Sequence, residues 1–321
     1  MLTTNDISVM LFPWDQAKPR PHEVIEAAQV AESCDFYSVS LPMHMTLPPG
    51  WLFESFENKD CLDSMALLPA ISQATSRIKI GLNSALLPLL PPFAWAKYLS
   101  TMDLLSDGRF IFGTAMGWWE EDFKAVGVSL KQRGSRFDEQ LEIITKLCTE
   151  EAVDFSGTHY EISDLSLNPK PLQKPFPPIW IGGGEKSVER AARYGEYLLV
   201  FWPDESQVEN FWIPRLSDAG KNHGTKPKLA AFTFAFVAKD EEELKLHRSL
   251  LELGVSFEEE AQNPESVTIA GSPEECAESL RKLHNAGVDH FVLEFQFHGV
   301  KDVAFGIEQM KRFRNLVLPL L

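Results

Sequence analysis

Short apolar segments alternate with helix-like segments along this chain from its first residues to its last. Eight of the apolar segments predict strands, and a stretch with apolar residues at helical spacing follows each of them. The predicted strands are Ile7–Phe12, Phe36–Leu41, Ile78–Leu82, Phe110–Gly113, Ile179–Ile181, Tyr197–Phe201, Leu229–Val237 and Phe291–Phe295. Eight such units in 321 residues predict a (β/α)8 TIM barrel, with a doubly wound parallel sheet as the alternative.

A longer connection separates the fourth and fifth predicted strands. It contains a periodic helix over Arg136–Thr149, a polar hairpin-like stretch over Val153–Leu167 and a proline-rich run over Pro169–Pro178. We interpret this connection as an insertion after strand four. Because no linker is long enough to separate two domains, we expect a single domain spanning residues 1–321.

Composition and charge exclude several classes of function. The net charge of −16 argues against a nucleic-acid footprint, which needs clustered Lys and Arg. No apolar run reaches the roughly 20 residues that span a bilayer, and the N-terminus does not resemble a signal peptide. The cysteines are scattered without disulfide or zinc spacing, which favours a reducing cytoplasm; they are Cys34, Cys61, Cys148 and Cys276.

Three consecutive glycines, Gly182, Gly183 and Gly184, follow the fifth predicted strand, and a helix-like segment follows them. Glycines let backbone N–H groups approach an anion, and the start of a helix adds unpaired donors. This order predicts a phosphate site. The alternative is a tight turn without a ligand.

In a (β/α)8 barrel the functional residues lie at the C-terminal ends of the strands. Here these positions are rich in aromatic side chains and poor in charge, which suits a flat, apolar ring system. They include Phe12 and Trp14, Met43 and His44, Asn83 and Ser84, Met116 to Trp118, the three glycines, Phe201 and Trp202, and Glu294 to Phe297.

His44 is the one histidine that the predicted strands place at this end of the barrel. Its ordinary pKa near neutrality suits proton transfer, although a loop histidine without a catalytic role is equally consistent with its position. The acidic run Glu120 to Asp122 predicts a solvated first helical turn. Trp118 and Trp119 are interpreted as packing residues, with a ligand wall as the alternative. Motifs for a metal site, paired catalytic carboxylates or a Gly-x-Ser-x-Gly hydrolase are not apparent.

Six blocks of sequence resemble the bacterial luciferase-like flavin oxidoreductases, in the order expected for that family. No single block is specific, but together they cover nearly the whole chain. They are Asp103–Gly113 with its Leu-Ser-x-Gly-Arg signature, Gly117–Glu121, Arg133–Glu139, Asn168–Gly183, Ala191–Gly195 and Gly271–Glu275.

The resemblance implies a barrel that binds either FMN or the deazaflavin coenzyme F420 across its C-terminal mouth. It places the cofactor phosphate at Gly182, Gly183 and Gly184, with Ser187 nearby. It places the ring on a bulge or non-proline cis peptide at Asn83 and Ser84, and close to Met116 and Gly117. His44 matches a histidine that often faces the ring in the family.

Two positions depart from the pattern that the resemblance implies. Many relatives carry Asp before the histidine, where this chain has Met43. Some F420 enzymes carry Glu near the reacting carbon, where this chain has Met116. The expected substrate pocket is otherwise apolar, with Phe12, Trp14, Met43, Trp118, Phe201 and Trp202 as its candidate residues.

The resemblance implies three possible functions. The favoured one is a monooxygenase that uses reduced FMN and O2 on a small apolar substrate, with a flavin reductase as a possible partner. The alternatives are an F420-dependent hydride-transfer oxidoreductase and a flavin-binding barrel without turnover. The family often forms homodimers, so we expect one here.

Overall fold

The computed structural model describes residues 2–14, 18, 20–46, 60–245, 247, 268–297 and 301–321. Its main sheet closes on itself, because the strand Lys228–Val237 pairs both with the preceding strand, Tyr197–Phe201, and with the last strand, His290–Glu294. Eight parallel strands form this closed barrel. The predicted (β/α)8 barrel is confirmed, and the doubly wound alternative is wrong because such a sheet stays open.

The strands agree with the predicted set in order and type. They are β1 (Ile7–Met10), β2 (Ser38–Leu41), β3 (Lys79–Leu86), β4 (Phe110–Ala115), β5 (Val153–Ser156), β6 (Glu161–Leu165), β7 (Ile179–Gly182), β8 (Tyr197–Phe201), β9 (Lys228–Val237), β10 (Thr268–Gly271) and β11 (His290–Glu294). Strands β5 and β6 form the antiparallel hairpin predicted between the fourth and fifth barrel strands. Strand β10 was not predicted; it pairs in parallel with the last four residues of β9, outside the ring of eight.

Helices connect the barrel strands on the outside. They are α1 (Pro21–Ser33), α2 (Ser64–Ala74), α3 (Pro92–Leu105), α4 (Glu120–Ala125), α5 (Arg133–Thr149), α6 (Val188–Tyr194), α7 (Ile213–His223), α8 (Pro273–Ala286) and α9 (Val303–Arg312). The sequence explains several of their starts. Asp63 caps α2, and Ser272 with Glu275 forms a capping box on α8.

One predicted helix is irregular and another is only partly described. The segment Glu205–Ala219 begins with a short turn and the π-helical stretch Val208–Trp212 before α7. Pro214 lacks the N–H that would donate to the carbonyl four residues earlier, which accounts for the irregularity. Most of the predicted helix Asp240–Leu253 lies outside the described residues, although residues 241–245 are helical.

The N-terminal end of the barrel is closed by a polar network. His290 shares a hydrogen bond of 2.7 Å with the Ser8 hydroxyl, and Ser38 donates to the same hydroxyl at 2.7 Å. The rings of Trp180 and Tyr197 reach across from β7 and β8 to within 5.0 and 5.5 Å of the imidazole. Burial lowers the pKa of His290 to about 3, so the ring is neutral at pH 7. This end of the barrel is therefore a closed core in which these buried polar groups are paired.

Candidate active site

Four buried polar atoms on β2, β3 and the loop after β2 have no hydrogen-bond partner in the described part of the chain. They are Ser40 Oγ, His44 Nδ1, Asn83 Oδ1 and Ser84 Oγ. Ser40 pairs in register with Gly81, so the four atoms lie at neighbouring positions near the C-terminal ends of the two strands. A buried polar group without a partner costs about 1–3 kcal/mol. Such a cluster indicates a ligand that supplies the missing partners.

Asn83 and Ser84 lie in an irregular part of β3. The peptide bond between them is cis, and the register against β4 shifts between Leu82 and Ala85. This strand was predicted to end at Leu82, but β3 continues to Leu86 beyond the irregularity. Bulges often redirect side chains next to active sites. Both features expected at these two positions are therefore present.

Two glycines on neighbouring strands make room for these side chains. A Cβ atom at Gly113 would lie 2.6 Å from Asn83 Oδ1, and one at Gly182 would lie 2.8 Å from Ser84 Oγ. Real Cβ atoms do not approach so closely. The first of the three consecutive glycines is thus needed for the Ser84 hydroxyl, whether or not it also contacts a phosphate.

The other two glycines differ from the first. Gly183 has φ +137°, and its N–H donates to the Leu199 carbonyl at 3.2 Å. The space beside Gly184 is open, with nothing within 4 Å of a Cβ built there. Ser187 is buried behind the turn and donates to the Gly182 carbonyl at 3.4 Å. Gly184 is therefore the glycine that an anion can approach most closely.

Glu185, the residue after the three glycines, has an exposed carboxylate that pairs with Arg215 on α7 at 3.0 Å. The pair removes the obvious electrostatic objection to an anion beside Gly184, because the charge of the carboxylate is partly neutralised and directed elsewhere.

His44 lies against Trp14, with ring centroids 5.3 Å apart in an edge-to-face arrangement. Burial lowers the pKa of His44 to about 4, so the imidazole is neutral at pH 7. A neutral imidazole has one donor and one acceptor nitrogen. With Nδ1 unpartnered, His44 can exchange a hydrogen bond or a proton with a bound molecule.

Aromatic side chains form the opposite wall of the mouth. The Trp202 ring lies 5.6 Å from Phe232 and 5.9 Å from Phe234, and Phe297 lies 5.8 Å from Phe234. Trp202 and Phe297 have left-handed backbones with φ of 48° and 52°. Non-glycine residues seldom adopt this conformation, and when they do they often belong to functional sites.

Phe12 and Trp14 belong to this inner aromatic cluster, together with Phe232 and Phe234, which were not predicted, and Trp202 packs against it. The signal for them was available, because Phe232 and Phe234 alternate along one strand and therefore face the same side. 

The other predicted pocket residues are arranged differently. Phe201 lies at the edge of the aromatic cluster, with its ring centroid 5.4 Å from Phe232 and 5.7 Å from Trp202, and is 42% exposed. Trp118 is 49% exposed. Met43 is buried in the core between barrel and helices, and its sulfur accepts the Leu86 N–H at 3.5 Å.

The loop after β4 carries Met116 and Gly117. The Met116 sulfur contacts Arg190 Nη1 at 3.3 Å, so this side chain faces the turn that contains Gly184. Gly117 has φ +77°, and a Cβ there would lie 3.1 Å from the Phe123 ring. Both the conformation and the close approach favour glycine at this position.

The acidic run that follows was predicted to be solvated. Glu120 and Glu121 are exposed and pair with Lys124. For Asp122 the prediction is wrong: its residue is 2% exposed, and burial raises the pKa of its carboxyl group. The Thr46 side chain, in the loop after β2, lies close enough to this carboxyl group to oppose part of the rise. Within the described ranges no group of three His, Cys, Asp or Glu is arranged for a metal ion, and no helix is long and apolar enough to cross a membrane.

Comparison with known proteins agrees with this geometry. Residues 7–264 match the family model of the luciferase-like monooxygenases. The chain is 26% identical over 304 residues to the FMNH2-dependent dimethylsulfone monooxygenase of Pseudomonas putida, covering 81% of this chain and 78% of that protein. It is 33% identical over 184 residues to the F420-dependent glucose-6-phosphate dehydrogenase of Amycolatopsis mediterranei, covering 55% and 52%.

A solved structure with the same fold is that of the monooxygenase RslO1 from Streptomyces bottropensis. It superposes with a TM-score of 0.79 at 20% identity, covering 98% of this chain and 99% of that one. The match of the family model over most of the chain decides the assignment. The chain belongs to the luciferase-like monooxygenase family.

Proposed function

We propose that this protein is a monooxygenase that binds reduced FMN at the C-terminal mouth of its barrel and uses O2 to oxidise a small apolar substrate. The observation that carries the proposal is that the mouth of the barrel has one polar wall and one aromatic wall. Unpartnered polar atoms of Ser40, His44, Asn83 and Ser84 lie on one side of the mouth, and aromatic rings lie on the other.

A flavin ring fits such a site because one edge of the ring is polar and the other is apolar. The carbonyl and N–H groups of the polar edge would supply hydrogen bonds to Asn83 Oδ1, Ser84 Oγ and Ser40 Oγ, which have no such partner among the described residues. The apolar edge would be placed against the aromatic wall that includes Trp202 and Phe234. The open space at Gly184 supports a phosphate at the other end of the cofactor.

Reduced FMN, when bound, supplies the electrons that activate O2. The protein's part is to hold the substrate and exclude water. Phe12, Trp14 and Phe297 keep the inner mouth apolar, since each is 4% exposed or less. His44 is the group placed to donate or accept a proton at Nδ1, and the edge-to-face contact with Trp14 fixes the orientation of its ring.

Charge supports FMN over F420. The deazaflavin cofactor carries further carboxylates beyond its phosphate, whereas this chain has a net charge of −16. Met116 also stands where some F420 enzymes carry Glu. The F420-dependent relative, at 33% identity, keeps hydride transfer with F420 as the alternative function.

The test is titration of the purified protein with FMN, FMNH2 and F420, followed by flavin absorbance and fluorescence. We expect FMNH2 to bind most tightly, and addition of O2 with a panel of small apolar compounds to give substrate-dependent oxidation. Tight binding of F420 alone contradicts the monooxygenase proposal. Tight flavin binding without any substrate-dependent oxidation supports a carrier instead, and binding of none of the three contradicts the whole assignment.

Three further features remain predictions. A separate flavin reductase would deliver FMNH2, since the cofactor must arrive reduced. A homodimer and a cytoplasmic location follow from the resemblance and from the cysteine pattern. Co-purification with a reductase activity, and the mass of the protein in solution, test the first two.

A further inference from the structure

Arg190 lies on α6, shortly after the glycine turn, and joins three separate segments of the chain. Its side chain is 13% exposed. Nη1 donates to the Lys186 carbonyl at 3.0 Å and contacts the Met116 sulfur at 3.3 Å. Nη2 reaches the Gly134 carbonyl at 3.5 Å. The guanidinium therefore touches the turn after β7, the loop after β4 and the start of α5.

The charge of Arg190 is already neutralised within the protein. Asp138 on α5 accepts from Nε at 2.5 Å and from Nη2 at 3.1 Å. The guanidinium also lies over the Phe137 ring, 5.4 Å from its centroid. Each nitrogen of the guanidinium thus has a partner, so Arg190 is held in place and is not available as a direct anion ligand.

We propose that Arg190 is a positioning residue for the phosphate of the cofactor. It holds the Lys186 carbonyl and the Met116 sulfur at a fixed separation, so that the first-turn N–H groups beside Gly184 keep their direction and the loop after β4 keeps its distance. The inference rests on the proposed function. The Ser84 hydroxyl, assigned above to the ring of the cofactor, is unpartnered, 9% exposed and packed against Gly182, so the ligand that it binds reaches the first glycine of this turn.

Lysine cannot replace arginine in this arrangement. A lysine has one nitrogen with three donors and no planar fork, so it cannot pair with Asp138 in a bidentate way while also holding Lys186 and Met116. Arg193 provides a matched control on the same helix. Its side chain is 55% exposed and pairs with Glu142, also on α5, at 3.4 Å, and its guanidinium lies over the Tyr194 ring.

The experiment compares FMN with riboflavin, which differ only in the phosphate. Dissociation constants for both are measured by fluorescence quenching on wild type, R190K and R193K, together with each melting temperature. We expect R190K to weaken the binding of FMN about tenfold and that of riboflavin less than about twofold. The reason is that the variant loses one network of charge-assisted contacts. R193K is expected to change neither constant.

Several outcomes overturn the inference. Equal weakening of FMN and riboflavin in R190K would mean that Arg190 only supports the fold, and no weakening would mean that it does not position the turn. If R190K does not fold, R190Q is measured against the same expectation. A wild type that binds riboflavin as tightly as FMN contradicts the phosphate assignment itself. If F420 is the cofactor that binds, the dissociation constants of F420 and of its dephosphorylated chromophore are compared in the same way.

Discussion

Similar polar residues lie at the two ends of the barrel, but they differ in their hydrogen bonding. At the N-terminal end, Ser38 and His290 are both hydrogen-bonded through Ser8. At the C-terminal end, Ser40, two residues further along the strand of Ser38, and His44 have no side-chain partner within the described ranges. Because buried polar groups are normally paired, the first set belongs to the structural core, and we infer that the second set contacts a ligand. This difference predicts opposite consequences of mutation at the two ends.

The largest expected effect is that of His44→Ala on turnover. If the unpartnered Nδ1 transfers a proton during the reaction, the rate of substrate oxidation with FMNH2 should fall by about 100-fold or more. The melting temperature should fall only by what the lost contact with Trp14 contributes, since His44 Nδ1 has no hydrogen-bond partner among the described residues. The exposed His22 on α1 gives the control His22→Ala, which should keep the wild-type rate. An unchanged rate in His44→Ala would favour a barrel that binds flavin without turnover.

At the other end, His290 should make stability depend on pH. Its pKa is lowered from 6.5 to about 3 in the folded protein. Between these values the unfolded chain binds a proton that the folded protein does not, so stability is fully present above pH 6.5 and falls as the pH falls. The loss amounts to roughly 4 kcal/mol by pH 3.

Denaturant unfolding of wild type and His290→Gln between pH 4 and 7 measures this dependence. The glutamine variant should lose the part of the slope that belongs to one proton, because it has no titrating ring. Parallel curves for the two proteins would contradict the depressed pKa. Flavin affinity at pH 7 should be similar in both, since His290 lies at the end of the barrel away from the site.

The sequence predicted the elements of the barrel better than the contacts between strands that are distant in sequence, for a physical reason. Strand order and the glycine turn follow from local periodicity, which is why the barrel and the insertion were predicted. The Ser84 hydroxyl against Gly182 joins β3 to β7, and no local pattern indicates that contact. Strand β10 was missed because its four residues, Thr268–Gly271, have no strong apolar pattern and depend on pairing with β9.

Ser84→Ala and Ser38→Ala form a matched pair with opposite expected results. Ser84→Ala should raise the dissociation constant for FMN about tenfold and leave the free energy of unfolding unchanged or higher, because it removes an unpaired hydroxyl. Ser38→Ala should leave FMN affinity unchanged and lower the free energy of unfolding by about 1 kcal/mol, because it removes a hydrogen bond of 2.7 Å. Equal behaviour of the two variants in both assays would remove the distinction between the ends.

The smallest expected effect concerns Asp122. It tests whether an unpartnered buried group marks a ligand contact or only lowers the stability of the fold. Neither carboxylate oxygen has a hydrogen-bond partner at normal distance in the described ranges. Burial raises the pKa above its ordinary 3.8, and the nearby Thr46 side chain opposes only part of that rise. Ionisation of Asp122 therefore costs more in the folded protein than in the unfolded chain. Asp122→Asn should raise the free energy of unfolding at pH 7 by about 1 kcal/mol, and the gain should fade as the pH approaches 4.

The control for Asp122 is Glu121→Gln in the same turn, where the carboxylate is exposed and pairs only with Lys124. Its effect on stability should be small, since surface pairs contribute little. If Asp122→Asn is more stable and binds FMN like wild type, an unpartnered polar group near the mouth is not sufficient evidence of a ligand contact. The assignment then depends on the clustering of Ser40, His44, Asn83 and Ser84, a clustering that the isolated Asp122 carboxylate does not share. If the variant is instead less stable, the Thr46 hydroxyl or another donor binds the carboxylate in solution, and Asp122 belongs with the paired groups of the core.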